Sequence, residues 1–122
     1  MAGTITNVTG VTHVNGTLSV PIANKTKTIS QITQGVFTDT QSIATSNTAI
    51  TIGSIATLGL VVIENIDSAN FVDIGSYVGG TLYPFVRLLF GERYVFRVKP
   101  GLTLYGIADT AAVKIQKTIY EA

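Results

Sequence analysis

The residues threonine, isoleucine and valine constrain this chain most, because together they supply roughly a third of its 122 residues. Each branches at Cβ, and the restricted rotation about χ1 suits a pleated strand better than a helix. The 12 glycines are spread along the chain and interrupt every long helical window. The sequence therefore predicts an all-β fold.

Alternating side chains and turn signals indicate how the strands are arranged. Tyr94, Phe96 and Val98 are predicted to share one inward face. The opposite face is predicted to carry Val95, Arg97 and Lys99. Asn15-Gly16 is typical of a hairpin turn and Pro100-Gly101 of a type II turn. Asp67–Asn70 is predicted to be a four-residue hairpin loop. Such signals at intervals of about 8–12 residues predict a single antiparallel domain that is a β-sandwich or a small barrel.

The N-terminal segment differs from the remainder in its lack of charge. Before Gly59 the charged residues are Lys25, Lys27 and Asp39 alone. We predict an extended arm over residues 1–20 and the sandwich domain over residues 21–122. A nearly chargeless strand exposes unpaired backbone groups, so the arm is expected to pair with a neighbouring chain. The alternative is an ordinary strand of the same sheet.

The amino-acid composition limits which kinds of molecule the chain is expected to bind. Charged residues make up 12% of the chain, hydrophobic residues 46%, and the formal net charge is +1. This balance excludes disorder, favours homo-oligomers and argues against nucleic acid as a partner. The most apolar stretch, Ile52–Ile63, is too short to span a membrane, and the first residues lack a secretion signal. No membrane partner is expected.

Few residues suit catalysis, so we predict that the protein is not an enzyme and holds no cofactor or metal. There is no cysteine, and His13 is the single histidine. Glu64, Asp67 and Asp73 could form carboxylate pairs, but they flank the predicted loop, where such residues commonly bond their own backbone. No catalytic residue is assigned.

A basic cluster follows in the C-terminal part. Arg87, Arg93, Arg97 and Lys99 are interleaved with aromatic residues, which could form a nucleic-acid surface. The alternation separates the two kinds of side chain, so solvated faces or interface ion pairs are favoured. The candidate interface residues are Thr4, Thr6, Val8, Val11 and His13 in the arm, together with Arg87, Arg93 and Arg97.

An ordered set of short motifs over residues 53–121 carries a family resemblance. It consists of Gly59–Gly75 (GLVVIENIDSANFVDIG), Pro84–Leu88, Gly91-Glu92, Phe96-Arg97, Lys99–Gly101, Tyr105–Asp109 and Ile119–Glu121. This set resembles small virion proteins of tailed bacteriophages, similar to the β-sandwich or jelly-roll cement and decoration proteins of phage heads. Asn65, Asp67 and Asn70 are expected to shape a loop.

The resemblance implies a structural role in the virion. The protein would be made in the host cytoplasm, bind the major capsid protein on the outside of the shell, and form homodimers or homotrimers. Two alternatives remain open: a head–tail adaptor or tail component, and a carbohydrate-binding host-attachment module. For the last, the aromatic residues to examine are Tyr77, Tyr83 and Tyr105.

Overall fold

A computed structural model describes residues 3–15, 18–31 and 35–121. The chain divides into two compact units, Met1–Gln34 and Gly35–Ala122. The secondary structure of the described residues is entirely β, as predicted. The strands are β1 (Gly3–Asn15), β2 (Leu18–Gln31), β3 (Val36–Ile43), β4 (Thr48–Ala49), β5 (Leu58–Asn65), β6 (Val72–Val78), β7 (Thr81–Leu88), β8 (Arg93–Arg97), β9 (Leu104–Ala108) and β10 (Val113–Glu121).

The first unit contains a two-stranded antiparallel sheet. Strands β1 and β2 pair from Gly3 opposite Gln31 to Asn15 opposite Leu18, with a register shift between Thr9 and Val11. The predicted Asn15-Gly16 turn falls partly on residues 16 and 17, which lie outside the described ranges. Residues 21–31 thus belong with the arm and not with the sandwich. The division predicted after residue 20 differs from that of the structure because β2 pairs with β1 along its length.

The second unit is a sandwich of two four-stranded sheets. One sheet has the order β3-β10-β5-β8 and the other β4-β9-β6-β7. The antiparallel pairs are nested: β6 with β7 innermost, then β5 with β8, β4 with β9, and β3 with β10. The prediction of a hairpin at Asp67–Asn70 is wrong, because β5 and β6 lie in different sheets. That loop crosses between sheets, and local turn chemistry does not specify which strands pair.

The core lies between the two sheets and is built from alternating residues. On β10, Val113 and Ile115 are fully buried while Lys114 and Gln116 are exposed, which confirms the predicted alternation. On β8, Phe96 packs against the core, and Val98, directly after the strand, is buried, both as predicted, but Tyr94 is 40% exposed. Tyr94 faces inward opposite buried Ile63, yet β8 is an edge strand and leaves its ring partly uncovered.

A β-bulge on β7 changes the direction of one aromatic side chain. Ile74 pairs with Val86 and Gly75 with Pro84, so Phe85 is an extra residue without a partner on β6. Gly75 is required here, because a Cβ atom would lie 2.0 Å from the carbonyl oxygen of Tyr83. Bulges bend the strand and redirect side chains. In this sandwich the bulge directs Phe85 toward β8, where its ring contacts Phe96.

The predicted turn at Pro100-Gly101 is also present. Gly101 has φ +90°, and the amide of Leu102 donates to the carbonyl of Lys99 at 3.3 Å. Positive φ at the third turn position is what a type II turn requires. Within the described ranges, the chain forms no helix that is long and apolar enough to cross a membrane.

Candidate interaction surfaces

The five candidate residues of the arm all lie on β1. Thr6 is opposite Thr28 and Val8 is opposite Thr26, and both of these β1 side chains are exposed. For Thr4, Val11 and His13 the structure describes the backbone pairing alone, opposite Ser30, Ile22 and Val20. In this two-stranded sheet each strand is hydrogen-bonded on one side by the other. Each therefore has a second edge at which a further strand could be added.

Arg87 on β7 is held by groups of its own sheet. Its Nε and Nη2 atoms donate to the two carboxylate oxygens of Asp73 at 2.7 and 3.0 Å, and its guanidinium lies 3.8 Å from the ring centroid of Phe71. These hydrogen bonds to Asp73 raise the pKa of Arg87. A bidentate pair of this kind fixes the guanidinium plane.

The other two candidate arginines lie on β8, in the opposite sheet. Arg93 donates from Nε and Nη2 to Oε1 of Glu64 at 3.0 and 2.7 Å. Arg97 is exposed and forms no ion pair within the described part of the chain. Since Arg87 faces outward from one sheet and Arg93 from the other, the three arginines do not form one continuous basic surface.

The predicted carboxylate pairs are used structurally. Glu64 and Asp73 bind arginines, and Asp67 accepts hydrogen bonds from the amides of Ala69 and Asn70 at 3.0 and 2.8 Å. These backbone hydrogen bonds lower the pKa of Asp67. Among the residues that the structure describes, no group of three or more His, Cys, Asp or Glu side chains could hold a metal ion.

An apolar groove that the sequence did not predict lies between β7 and β8. These are the edge strands of opposite sheets. Phe85 meets Phe96 edge to face at 5.4 Å between centroids, and Tyr94 stacks on Phe96 at 5.1 Å. The groove encloses about 350 Å³. Its lining is mostly apolar and consists of Phe85, Tyr94, Phe96, Arg97, Val98, Lys99, Leu102 and Leu104.

The groove combines exposed apolar surface with two cations at its margin. Phe85 is 52% exposed and Leu102 39% exposed, while Arg97 and Lys99 are exposed without an ion pair in the described ranges. An exposed aromatic cluster between two strand edges is typical of a protein–protein contact. Arg97 is the one candidate arginine that lines this groove.

The three tyrosines considered for carbohydrate binding do not form one platform. Tyr77 and Tyr105 stack on each other at 3.9 Å between centroids with an angle of 12° between ring planes. Each ring therefore covers one face of the other. Tyr83 is 58% exposed and belongs to β7.

A comparison of the chain with protein-family models, curated proteins and solved structures finds no match.

Proposed function

We propose that the chain is a structural protein of a tailed-phage virion, and specifically a decoration protein that binds the outer surface of the head. The observation that carries this proposal is the apolar groove between β7 and β8, beside which Arg97 and Lys99 have no ion-pair partner in the described ranges. An exposed apolar surface of this kind is typical of a binding site for another polypeptide, because its contact with water is unfavourable in free energy.

The nested strand pairing supports the same proposal. Eight strands in two four-stranded sheets, paired from an innermost hairpin outward, correspond to a rolled-up antiparallel hairpin. This arrangement agrees with a jelly roll, an architecture that is common among capsid proteins. The strand order thus fits the fold implied by the sequence resemblance.

The groove is proposed to bind an extended apolar segment of the major capsid protein that carries a carboxylate. Phe85, Tyr94 and Leu102 would bury the apolar side chains of the segment. Its carboxylate would pair with Arg97 or Lys99, so charge complementarity fixes which segment fits. The free edge of β8 offers backbone groups to an added strand.

The arm is proposed to supply a second contact. Strand β1 exposes Thr6 and Val8, and β1 and β2 each have one strand edge without a partner in their own two-stranded sheet. A two-stranded hairpin is marginally stable alone, so pairing with a neighbouring chain would stabilise it. A homodimer or homotrimer, closed by symmetry, is the oligomer expected on the shell.

The test is binding to shells assembled from the major capsid protein of the same phage. Purified protein is mixed with DNA-free shells, the shells are pelleted, and the bound fraction is measured against concentration. Saturable binding is expected. Phe85→Asp and Arg97→Glu should each weaken it at least about tenfold, as loss of a central contact does. Val78→Asp is the matched control, because Val78 is 58% exposed and does not line the groove.

Other outcomes overturn particular parts of the proposal. If the unmodified protein does not bind to the shells, the decoration role is contradicted. If Phe85→Asp leaves shell binding intact but converts an oligomer to a monomer in light scattering, the groove binds a second copy and not the capsid segment. Ring-shaped oligomers in micrographs would instead favour a head–tail adaptor. Binding on a glycan array that is lost on Tyr83→Ala would favour a host-attachment module.

A further inference from the structure

Lys117 is a charged residue inside the sandwich. It follows Ile115 on the inward face of β10, and its side chain has no solvent exposure. Its register partners are Asp39 on β3 and Ile63 on β5. Lysine is rarely fully buried unless its ammonium group is paired. The surroundings of this amine therefore require an explanation.

Three polar groups surround the Lys117 amine. Nζ donates to Oε1 of Gln41 at 2.5 Å and to Oγ1 of Thr51 at 2.6 Å. Oδ1 of Asp39 lies 3.0 Å from Nζ. That oxygen is shielded from solvent and makes no well-aligned hydrogen bond in the part of the chain described. Asp39 Oδ1 is thus beside the amine with a lone pair available to accept a proton.

The amide group of Gln41 is oriented from both ends. Its Oε1 atom accepts hydrogen bonds from the backbone amide and hydroxyl of Thr51 at 3.1 and 3.3 Å. Its Nε2 atom donates to the carbonyl of Ala49 at 2.7 Å. Donors on a carbonyl oxygen polarise it and stabilise the charge that develops there when a nucleophile adds to the carbon. Gln41 thus has a polarised amide whose oxygen accepts a hydrogen bond from the Lys117 amine.

We infer that Lys117 and Gln41 form an intramolecular isopeptide bond, with Asp39 as the proton carrier. An amine nucleophile, a polarised amide and a carboxylate within reach of the amine are the components that this reaction needs. Burial lowers the pKa of the Lys117 amine, while the neighbouring Asp39 carboxylate opposes that change. Burial therefore favours the neutral, nucleophilic form.

The reaction balances without any added reagent. Asp39 takes a proton from the Lys117 ammonium, and the Nζ lone pair attacks Cδ of Gln41. The carbonyl oxygen becomes an oxyanion that accepts hydrogen bonds from Thr51. Asp39 returns the proton to Nε2, the Cδ–Nε2 bond breaks, and ammonia leaves. The new amide nitrogen gives one of its two protons to the departing ammonia and keeps the other, so the products are a secondary amide and ammonium.

The position of the bond gives it a mechanical consequence. Gln41 lies on β3 and Lys117 on β10, which are the first and last strands of the sandwich and neighbours in one sheet. A covalent bond between them closes the unit and resists separation of its two ends. The inference does not depend on the decoration role, and its test involves no capsid.

The test is the mass of the purified, fully denatured protein after digestion with trypsin. Cleavage after Lys27, Arg87 and Lys114 should release residues 28–87 and 115–122 as one joined species. Its mass should be about 17 Da below the sum of the two peptides, which corresponds to loss of one ammonia. Without the bond, trypsin cleaves after Lys117 and releases residues 115–117 and 118–122 separately.

Substitutions test the roles of Lys117 as the nucleophile and Asp39 as the proton carrier. Lys117→Arg should abolish the joined species, whereas Lys114→Arg, an exposed position on the same strand, should retain it. Asp39→Ala should slow its formation by a factor of at least about 100, the usual effect of removing a general base. If Lys117→Arg fails to fold, the native peptide mass still decides. Separate peptides from native protein overturn the inference, and a deficit of about 18 Da, one water, overturns the choice of Gln41 over Asp39.

Discussion

The side-chain amide of Asn65 donates a hydrogen bond to the backbone carbonyl of Leu88 at 2.9 Å and so joins the end of β5 to the end of β7 in the opposite sheet. The same Nδ2 atom donates to the carbonyl of Asn70, and Oδ1 accepts from the amide of Asp67, each at 2.9 Å. Asn65 is fully buried. One side chain therefore connects the two sheets and fixes the loop between β5 and β6.

Replacing Asn65 with alanine should lower the free energy of unfolding by about 2–4 kcal/mol, because buried carbonyls lose their donors. Urea unfolding followed by tyrosine fluorescence measures the change. The control is Asn47→Ala, which should change the free energy by less than about 0.5 kcal/mol, since Asn47 is exposed. Equal effects of the two substitutions would contradict the bridging role of Asn65.

Gly75→Ala should lower the free energy of unfolding by about 3 kcal/mol, because the new methyl group would meet the backbone of Tyr83 and Pro84. Backbone atoms on a paired strand cannot move aside as a side chain can. The control is Gly106→Ala, where the nearest atom is Cγ2 of the Ile43 side chain at 3.3 Å. Thermal and urea unfolding of both variants should give the larger loss for Gly75→Ala. The reverse order would show that the bulge adapts to a side chain.

The pH dependence of stability should include a contribution from Asp67. Hydrogen bonds from the amides of Asn70 and Ala69 lower the pKa of Asp67 in the folded protein below 3.8, so the folded state binds this proton less readily than the unfolded state. The resulting stabilisation is present above pH 3.8 and is lost as the pH falls through the lowered pKa. The stability difference between native protein and Asp67→Ala should be constant near neutrality and shrink at low pH. A difference independent of pH would contradict this.

The sequence predicted the secondary-structure class and much of the turn chemistry. The β-branched content and the alternation on β10 specify strands with one buried face, and the Asp67–Asn70 loop and Pro100-Gly101 turn depend on local backbone bonding. Strand pairing was not predictable in the same way, because β5 pairs with β8 and β10 while its neighbour in sequence, β6, belongs to the other sheet.

Two features of the candidate sites, the direction of Phe85 and the surroundings of Lys117, were not predicted from the sequence, for different reasons. Phe85 is the extra residue of a bulge, and one inserted residue breaks the period of two on which facing is predicted. Lys117 follows the inward period set by Val113 and Ile115, so its burial was available from the alternation. The pattern does not show the partners of Lys117, because both are distant in sequence. Gln41 meets Lys117 when β3 pairs with β10, and Thr51 comes from the segment after β4.

The edge-to-face contact between Phe85 and Phe96 should stabilise the groove before any partner binds. Their ring centroids lie 5.4 Å apart at 77°, a geometry in which the positive edge of one ring meets the negative face of the other. A double-mutant cycle with Phe85→Leu and Phe96→Leu should give a coupling energy of about 1 kcal/mol in urea unfolding. Phe90, which is 57% exposed and has no ring contact with Phe96 among the described aromatic pairs, supplies the control cycle. A coupling energy of the same size for Phe90 and Phe96 would show that the effect is not specific to the Phe85–Phe96 contact. That contact would then not stabilise the groove in the free protein.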